Sequence, residues 1–170
     1  MMNTRAMIAE AGGQAVQART GHAFVKKAMR ESGAIYGGEM SAHHYFRDFA
    51  FADSGMIPWL LVAELVSRKG QPLADLLSQR IAAFPSSGEI NFRLDDADAA
   101  IDRVLSAYAA EARSRDDTDG ISLEFADWRF NLRRSNTEPV VRLNVEAAGD
   151  ADLVARQARR IGALLTGTQG

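Results

Sequence analysis

Three short segments in the second half of the chain alternate apolar and polar residues with a period of two. Their apolar positions are Ile121, Leu123 and Phe125, then Trp128, Phe130 and Leu132, then Val141, Leu143 and Val145. Successive side chains of a strand point to opposite faces, so this alternation predicts consecutive strands with one covered face. An antiparallel sheet is the arrangement that leaves one face to solvent and one to a core.

Apolar residues at helical spacing flank these segments on both sides. One set is Ile101, Val104, Leu105 and Tyr108, and the other is Val154, Ala158, Ile161 and Leu165. Each set lies on one face of a helix, the first over residues 97–113. With one strand placed before the first helix, the order is β-α-β-β-β-α. We therefore expect an α+β domain with a four-stranded antiparallel sheet and two helices.

A Pro/Ser/Gly cluster at residues 84–88 separates this region from the first half. It predicts a domain over 1–85 and a second over 86–170. The first half is predicted to be α/β, with a mixed sheet, helices over 3–11, 22–31, 55–68 and 72–84, and strands over 14–17 and 34–36. Either Asp53 or Ser54 can cap the helix over 55–68.

The composition excludes several classes of protein. The chain has 20 Lys and Arg against 22 Asp and Glu, and 46% of its residues are hydrophobic, which excludes a disordered chain and a polycationic nucleic-acid binder. The longest apolar run, residues 56–63, is far shorter than the roughly 20 residues of a membrane helix. The sequence has no cysteine, which excludes disulfides and thiolate metal sites. We expect no nucleic-acid or membrane partner, and a cytoplasmic location is compatible with this composition.

Residues 133–139 (RRSNTEP) join two of the alternating segments and concentrate hydrogen-bond donors. A guanidinium, two hydroxyls, an amide and free backbone N–H groups together suit a phosphate. Ser, Asn and Thr also favour ordinary turns, and the residue types alone leave both interpretations open.

Residues 37–44 (GGEMSAHH) form a second polar segment. Glu39 and Ser41 can hydrogen-bond sugar hydroxyls, and His43 can carry a proton near neutral pH. Adjacent histidines on extended backbone face opposite sides, so His43 and His44 are not expected to share a metal ion. A glycine-rich connection is the alternative interpretation. Similarly, residues 19–22 (RTGH) suit either an anion site at a helix N-terminus or a plain helix start.

In this order the segments RTGH at 19–22, GGEMSAH at 37–43 and SNTEP at 135–139 resemble the phosphohexomutases. Residues 45–49, 53–59 and 126–133 are similar to bacterial phosphomannomutases in particular. The resemblance extends from about Asn3 to Leu165. Such enzymes interconvert mannose 6-phosphate and mannose 1-phosphate through a phosphoserine and a bisphosphorylated sugar, and they have four domains around one cleft.

The resemblance implies a C-terminal portion of such an enzyme, with a partial third domain and an intact fourth domain. Glu39 and Ser41 would read the sugar hydroxyls, His22 would line the same part of the cleft, and His43 would be a general acid or base. The phosphate of the substrate would be bound by Arg133, Ser135, Asn136 and Thr137. Ala42 occupies a position where the family more often has glycine.

The family's phosphoserine loop and its triple-aspartate magnesium loop have no counterpart in this sequence. Magnesium is therefore expected for the full-length family, with ligands that this chain lacks. Phosphoryl transfer needs both a positioned nucleophile and charge neutralisation by metal. We expect the chain alone to be inactive and to need a separate N-terminal half. The alternative is a non-catalytic fragment for sugar-phosphate binding or assembly, and a preference for glucose phosphates stays open.

Overall fold

The computed structural model describes residues 1–135 and 139–168. Within them the helices are α1 (Met2–Glu10), α2 (His22–Ser32), α3 (Met56–Lys69), α4 (Leu73–Ala83), α5 (Ala97–Tyr108) and α6 (Ala151–Thr166). The strands are β1 (Tyr36–Gly38), β2 (His44–Phe46), β3 (Ala52–Asp53), β4 (Ile90–Arg93), β5 (Ser114–Asp116), β6 (Ile121–Glu124), β7 (Trp128–Arg134) and β8 (Val140–Ala147).

The residues group into two compact units. The hairpin unit is Gly12–Leu77, and the sheet unit combines Met1–Ala11 with Ser78–Gly170. The domain boundary between residues 85 and 86 stays a prediction.

The sheet unit contains an antiparallel five-stranded sheet in the order β4-β8-β7-β6-β5. Phe130 pairs with Val145, and Leu132 pairs with Leu143, so the apolar positions of the alternating segments lie on one face. That face packs with α5 and α6 around a core in which Val104, Phe130 and Ile161 are fully buried. Asp96 and Asp150 cap the two helices by accepting hydrogen bonds from the N–H groups of Ala99 and Leu153.

The fold class expected from the sequence is confirmed, with one difference in strand number. The sheet has five strands because β5 pairs with β6 at the edge. Ser114, Arg115 and Asp116 have no apolar alternation, so an exposed edge strand of this kind gives no period-two signal.

The hairpin unit contains a three-stranded antiparallel sheet in the order β1-β2-β3, whereas the sequence suggested a mixed sheet. Residues 14–17 form no strand, and the strand expected at 34–36 begins at Tyr36. The buried core of the hairpin unit consists of Val25 and Met29 of α2 and Tyr45 of β2. A Cβ at Gly37 would lie 2.8 Å from Met29 Sδ and 2.9 Å from Val25 Cγ1, so glycine allows this close approach of α2 to β1.

At the start of α3, Ser54 Oγ accepts a hydrogen bond from the Ile57 N–H at 3.3 Å. Of the two capping residues considered from the sequence, Ser54 therefore contacts the helix start, and Asp53 bonds to β2 instead. None of the helices in the described ranges combines the length and the apolar character needed to cross a membrane.

Candidate functional site

The loop between β1 and β2 carries Glu39, Ser41 and His43. The Glu39 N–H donates to the His43 carbonyl at 3.0 Å, and the Ala42 N–H donates to the Glu39 carbonyl at 3.1 Å. Ala42 has a φ of 63°, which is left-handed backbone that glycine adopts at lower cost. The turn holds Glu39 and His43 at the ends of the two strands.

Both carboxylate oxygens of Glu39 are held by neighbouring groups. Oε1 accepts a short hydrogen bond from the Tyr45 hydroxyl, and Oε2 accepts from the Gly21 N–H at 2.9 Å. The Tyr45 side chain is fully buried, and burial, together with the hydrogen bond to Glu39 and its charge, raises the pKa of Tyr45 well above its usual range. Glu39 is thus fixed beside the first turn of α2, where backbone N–H groups favour a negative charge.

His22, the first residue of α2, packs against His43 of the β1–β2 loop. Their ring centroids are 4.4 Å apart, and the His22 ring also meets the Tyr45 ring edge-on at 5.3 Å. His22 is exposed and His43 is half-buried. The structure therefore brings together three of the residues singled out in the sequence: Glu39, His22 and His43. Ser41 lies exposed in the same loop.

His43 is oriented by Asp53 of the neighbouring strand. His43 Nδ1 lies 2.7 Å from Asp53 Oδ2, and Asp53 Oδ1 accepts from the His44 N–H at 2.9 Å. The His44 N–H, followed by the His43 side chain, lowers the pKa of Asp53. An ionised carboxylate can only accept, so Nδ1 carries the proton, and Nε2 is the acceptor of a neutral His43 ring. This arrangement leaves His43 with a free proton-accepting nitrogen.

His44 takes a different partner from His43. Its Nδ1 lies 2.7 Å from the Tyr36 hydroxyl oxygen.

The second candidate region lies at the end of β7. Arg133 and Arg134 are adjacent on the strand and so point to opposite faces of the sheet. Arg134 forms an ion pair with Asp98 in the first turn of α5, which places Arg133 on the face away from α5. The Ser135 N–H donates to the Val140 carbonyl at 2.9 Å. Asn136 and Thr137, the other two expected phosphate ligands, lie outside the described residues.

A further arginine faces Arg133 across the strand pair. Arg133 is directly opposite Arg142 of β8 in the register of the sheet, and like charges at opposite positions repel. Glu89 lies 3.6 Å from Arg142 and offsets part of that charge. Arg142 occupies one of the polar positions of the alternating segment that contains Val141 and Leu143, but it lies outside the RRSNTEP segment that predicted the phosphate site.

The same polar face holds a buried ion pair that the sequence did not indicate. Arg129 and Glu146 are 5% and 9% exposed, and Arg129 Nη1 lies 3.3 Å from Glu146 Oε1. Burial alone would raise the pKa of Glu146, but the Met1 ammonium, the Met2 N–H and Arg129 outweigh burial and lower it. The pair lies within the sheet and has a structural role.

The described residues contain one group of three potential metal ligands, namely His22, His43 and Asp53. Magnesium prefers near-octahedral oxygen coordination, and two imidazoles with one carboxylate do not fit that preference. This donor set is therefore not a magnesium site.

Comparisons with known proteins match both halves of the chain to one family. Residues 1–84 match domain III, the alpha/beta/alpha domain, of the phosphoglucomutase/phosphomannomutase family, and residues 89–164 match its C-terminal domain. The chain is 63% identical over 163 residues to a phosphomannomutase of Salmonella montevideo, which covers 96% of this chain and 36% of the relative. It is 60% identical, with the same coverage, to a phosphomannomutase of Escherichia coli K12.

A solved structure gives the same result. A phosphoglucomutase/phosphomannomutase family protein from Burkholderia thailandensis has a TM-score of 0.74 at 32% identity, covering 99% of this chain and 36% of that one. The chain thus spans about a third of the length of the curated relatives it matches. The motifs, the two family matches and these relatives agree that the chain belongs to the phosphoglucomutase/phosphomannomutase family and corresponds to its C-terminal portion.

Proposed function

We propose that this chain supplies the sugar-recognising and phosphate-binding parts of a phosphomannomutase, which interconverts mannose 6-phosphate and mannose 1-phosphate. The observation that carries the proposal is the pair of anchored side chains in the β1–β2 loop. Tyr45 and Gly21 hold Glu39, and Asp53 holds His43. Side chains fixed in this way lose little freedom when a ligand binds, which is typical of a recognition site.

Glu39 is the proposed acceptor for sugar hydroxyls. Each carboxylate oxygen can accept more than one hydrogen bond, so the bonds from Tyr45 and Gly21 still leave capacity for a ligand. Ser41 adds a hydroxyl that can both donate and accept. Because Glu39 only accepts, the pair can distinguish the orientation of hydroxyls on the sugar ring.

His43 is the proposed general base or acid. Its hydrogen bond to Asp53 places a proton on Nδ1, so Nε2 is the nitrogen that can take a proton from a sugar hydroxyl. The imidazolium that forms is stabilised by the same carboxylate. His22, 4.4 Å away between ring centroids, would line the same part of the site.

Arg133, Ser135, Asn136 and Thr137 are the proposed ligands of the non-reacting phosphate. Arg133 lies on the sheet face away from α5, which supports its role over that of Arg134, whose guanidinium pairs with Asp98. Arg142 lies opposite Arg133, and an anion between two guanidinium groups would relieve their repulsion. We therefore add Arg142 to the proposed phosphate site.

The chemical step is proposed to need residues outside this chain. The phosphoserine and magnesium loops of the family have no counterpart in the sequence, so the proposal includes a separate N-terminal part that supplies them. The cytoplasmic location also stays a prediction.

One observation favours the second candidate, a fragment that acts through assembly. Helix α3, all of which the structure describes, has no buried residue, and Trp59, Leu60 and Leu61 are 62%, 57% and 53% exposed. Exposed apolar surface of this kind marks an interface. We propose that the separate N-terminal part of the enzyme covers this face of α3. Size-exclusion chromatography tests this, because an uncovered α3 should cause self-association of the chain alone.

Isothermal titration calorimetry of the chain with mannose 6-phosphate tests the proposed binding function. We expect the Arg133→Ala variant to bind at least about tenfold more weakly, since a charge-assisted hydrogen bond contributes roughly 1.5–3 kcal/mol. Arg134→Ala is the matched control, because it removes the same charge from the adjacent position, and its affinity should stay within about twofold. Equal weakening by both variants would mean that binding depends only on the net positive charge of this strand end, and it would contradict the proposal.

The same titration with glucose 6-phosphate tests the sugar preference. If Glu39 and Ser41 bind the ring hydroxyls, Glu39→Gln should weaken the binding of mannose 6-phosphate. It should also reduce the ratio of the affinity for mannose 6-phosphate to the affinity for glucose 6-phosphate. An unchanged ratio would remove Glu39 from sugar recognition.

A further inference from the structure

His22, His43 and Asp53 converge on one small volume at the surface of the hairpin unit. Each offers one ligand atom, and these atoms lie within 4.8 Å of one another. The three residues come from the start of α2, the loop before β2 and the end of β3. Residues distant in sequence thus present two imidazoles and a carboxylate to the same point.

This donor set selects a particular class of ion. Imidazole nitrogens suit zinc and the neighbouring late first-row divalent ions, and a carboxylate oxygen completes common zinc sites. Zinc bonds to these atoms at about 2.0–2.2 Å, so its ligand atoms lie roughly 3–3.5 Å apart. The three ligand atoms lie within 4.8 Å of one another, and His43 Nδ1 and Asp53 Oδ2 are 2.7 Å apart. Zinc binding therefore requires this pair to separate slightly and the His22 ring to rotate toward it.

The backbone supports two of the ligands. The hydrogen bond from the His44 N–H fixes Asp53, and the pairing of Tyr45 with Asp53 sets its position on β3. Side-chain exposures of 41% for His43 and 28% for Asp53 leave the ion a path from solvent.

We propose that His22, His43 and Asp53 form a Zn²⁺ site with three protein ligands and an open fourth position. Zinc replaces the proton between His43 and Asp53, so the ion and the proton-transfer role of His43 exclude each other. The site therefore makes any reaction that uses His43 sensitive to zinc. The ion shares His22 and His43 with the proposed sugar site and needs none of the proposed phosphate ligands.

Competition against a fluorescent zinc indicator tests the proposal, with the metal-free chain titrated with ZnCl₂ and no sugar phosphate present. We expect one zinc per chain, and about a tenfold or greater loss of affinity in both His22→Ala and Asp53→Asn. His44→Ala is the matched control, because it removes the neighbouring histidine, which bonds to Tyr36 rather than to the cluster; its zinc affinity should stay within about twofold. Circular dichroism checks that each variant is folded. Because His22 is exposed, His22→Ala tests the site without removing the hydrogen bonds that Asp53 makes to β2.

Titration with Co²⁺ supplies the second measurement. Intense visible absorption typical of four-coordinate cobalt should appear with the wild-type chain and with His44→Ala, and it should be absent with His22→Ala. Zinc affinity that is unchanged in His22→Ala, or that falls equally in His44→Ala, would overturn the site. Either result leaves the mannose 6-phosphate titrations unaffected, so failure here is distinct from failure of the proposed function.

Discussion

The sheet unit and the hairpin unit differ most in what holds them together. In the sheet unit, Phe130, Leu143 and Val145 are fully buried between a five-stranded sheet and two capped helices. In the hairpin unit the buried apolar residues are Val25, Met29 and Tyr45, while the apolar residues of α3 are largely exposed. Apolar burial is the dominant favourable term in folding, so the sheet unit should be the more stable of the two.

The two units also differ in which residues of the proposed function they contain. The hydrogen bonds of the hairpin unit that tie distant residues together converge on Glu39, His43 and Asp53, which are the residues or partners of the proposed sugar site. The proposed sugar site therefore lies in the unit with the smaller core, whereas the proposed phosphate ligands lie in the sheet unit. Four predictions follow this contrast from the largest expected effect to the smallest.

Truncation of Phe130 should have the largest effect on stability. Phe130 is fully buried and contacts the rings of Tyr108 and Trp128, so Phe130→Ala should lower the free energy of unfolding by about 3–5 kcal/mol. Trp59→Ala in α3 removes another large aromatic side chain, but from a position that is 62% exposed, and should change it by less than about 0.5 kcal/mol. Urea unfolding followed by circular dichroism measures both. Similar losses would mean that the α3 face is buried in solution.

Removal of Arg129 should have the next largest effect. Arg129→Ala removes one of the groups that bind the nearly buried Glu146 carboxylate, which keeps the Met1 ammonium and the Met2 N–H, and a lost hydrogen bond to a charged group costs about 1.5–3 kcal/mol. Arg134→Ala breaks an exposed ion pair of the same strand and should cost less than about 1 kcal/mol. The same urea experiment compares them, and a stable Arg129→Ala variant would show that the polar face contributes little to the sheet unit.

Tyr45→Phe should have a smaller effect that is confined to the hairpin unit. It keeps the buried ring but removes the hydroxyl that donates to Glu39, at about 1.5 kcal/mol for a hydrogen bond to a charged group. Because folding raises the pKa of Tyr45, its contribution is present below the ordinary tyrosine value of about 10 and is lost as pH rises beyond it.

Hydrogen exchange of the hairpin-unit amides measures the Tyr45 effect. Protection should fall in Tyr45→Phe at neutral pH, and its further loss above about pH 10 should be smaller than in the wild type. Tyr36→Phe, which removes a partly exposed hydroxyl bonded to His44, is the control and should change protection less. Equal effects of the two variants would show that Glu39 is not held by Tyr45.

Acid should weaken the hairpin unit through Asp53. Its pKa is lower in the folded chain than in the unfolded chain, so its contribution is complete above about pH 4 and is lost as pH falls through the folded value. Asp53→Asn should therefore remove part of the acid sensitivity of this unit. Asp48→Asn, at an exposed position, is the control, and hydrogen exchange between about pH 5 and pH 3 is the measurement. Identical acid profiles for Asp53→Asn and the wild type would contradict the Asp53 contacts.

The same contrast explains how much of the structure could be predicted from the sequence. In the sheet unit, alternation predicted β6, β7 and β8 and their core face, because burial of one face imposes a period of two. The pattern failed at β5, whose residues are exposed or half-buried at the sheet edge. The opposite error occurred at residues 14–17, which were predicted as a strand although they show no apolar alternation, and which form no strand in the described structure.

In the candidate site, the resemblance predicted Glu39, Ser41, His22 and His43 as residues of one site, but it did not predict what holds them. Tyr45 and Asp53 reach Glu39 and His43 through strand pairing, and the register of such short strands has no signal in the sequence. Asp53 was considered only as a helix cap, because a carboxylate before a helix is usually one. The contacts of Tyr45 with Glu39 and of Asp53 with His43 could be identified only from the three-dimensional structure.

The central claim is that this chain recognises the sugar phosphate and does not itself transfer the phosphoryl group. Phosphorus NMR of mannose 1-phosphate, with the bisphosphorylated sugar and the purified chain, tests both parts in one sample. We predict that the mannose 1-phosphate resonance shifts or broadens as the chain is added, and that no mannose 6-phosphate resonance appears. A growing mannose 6-phosphate resonance, or a mannose 1-phosphate resonance that the chain leaves unchanged, would contradict the claim.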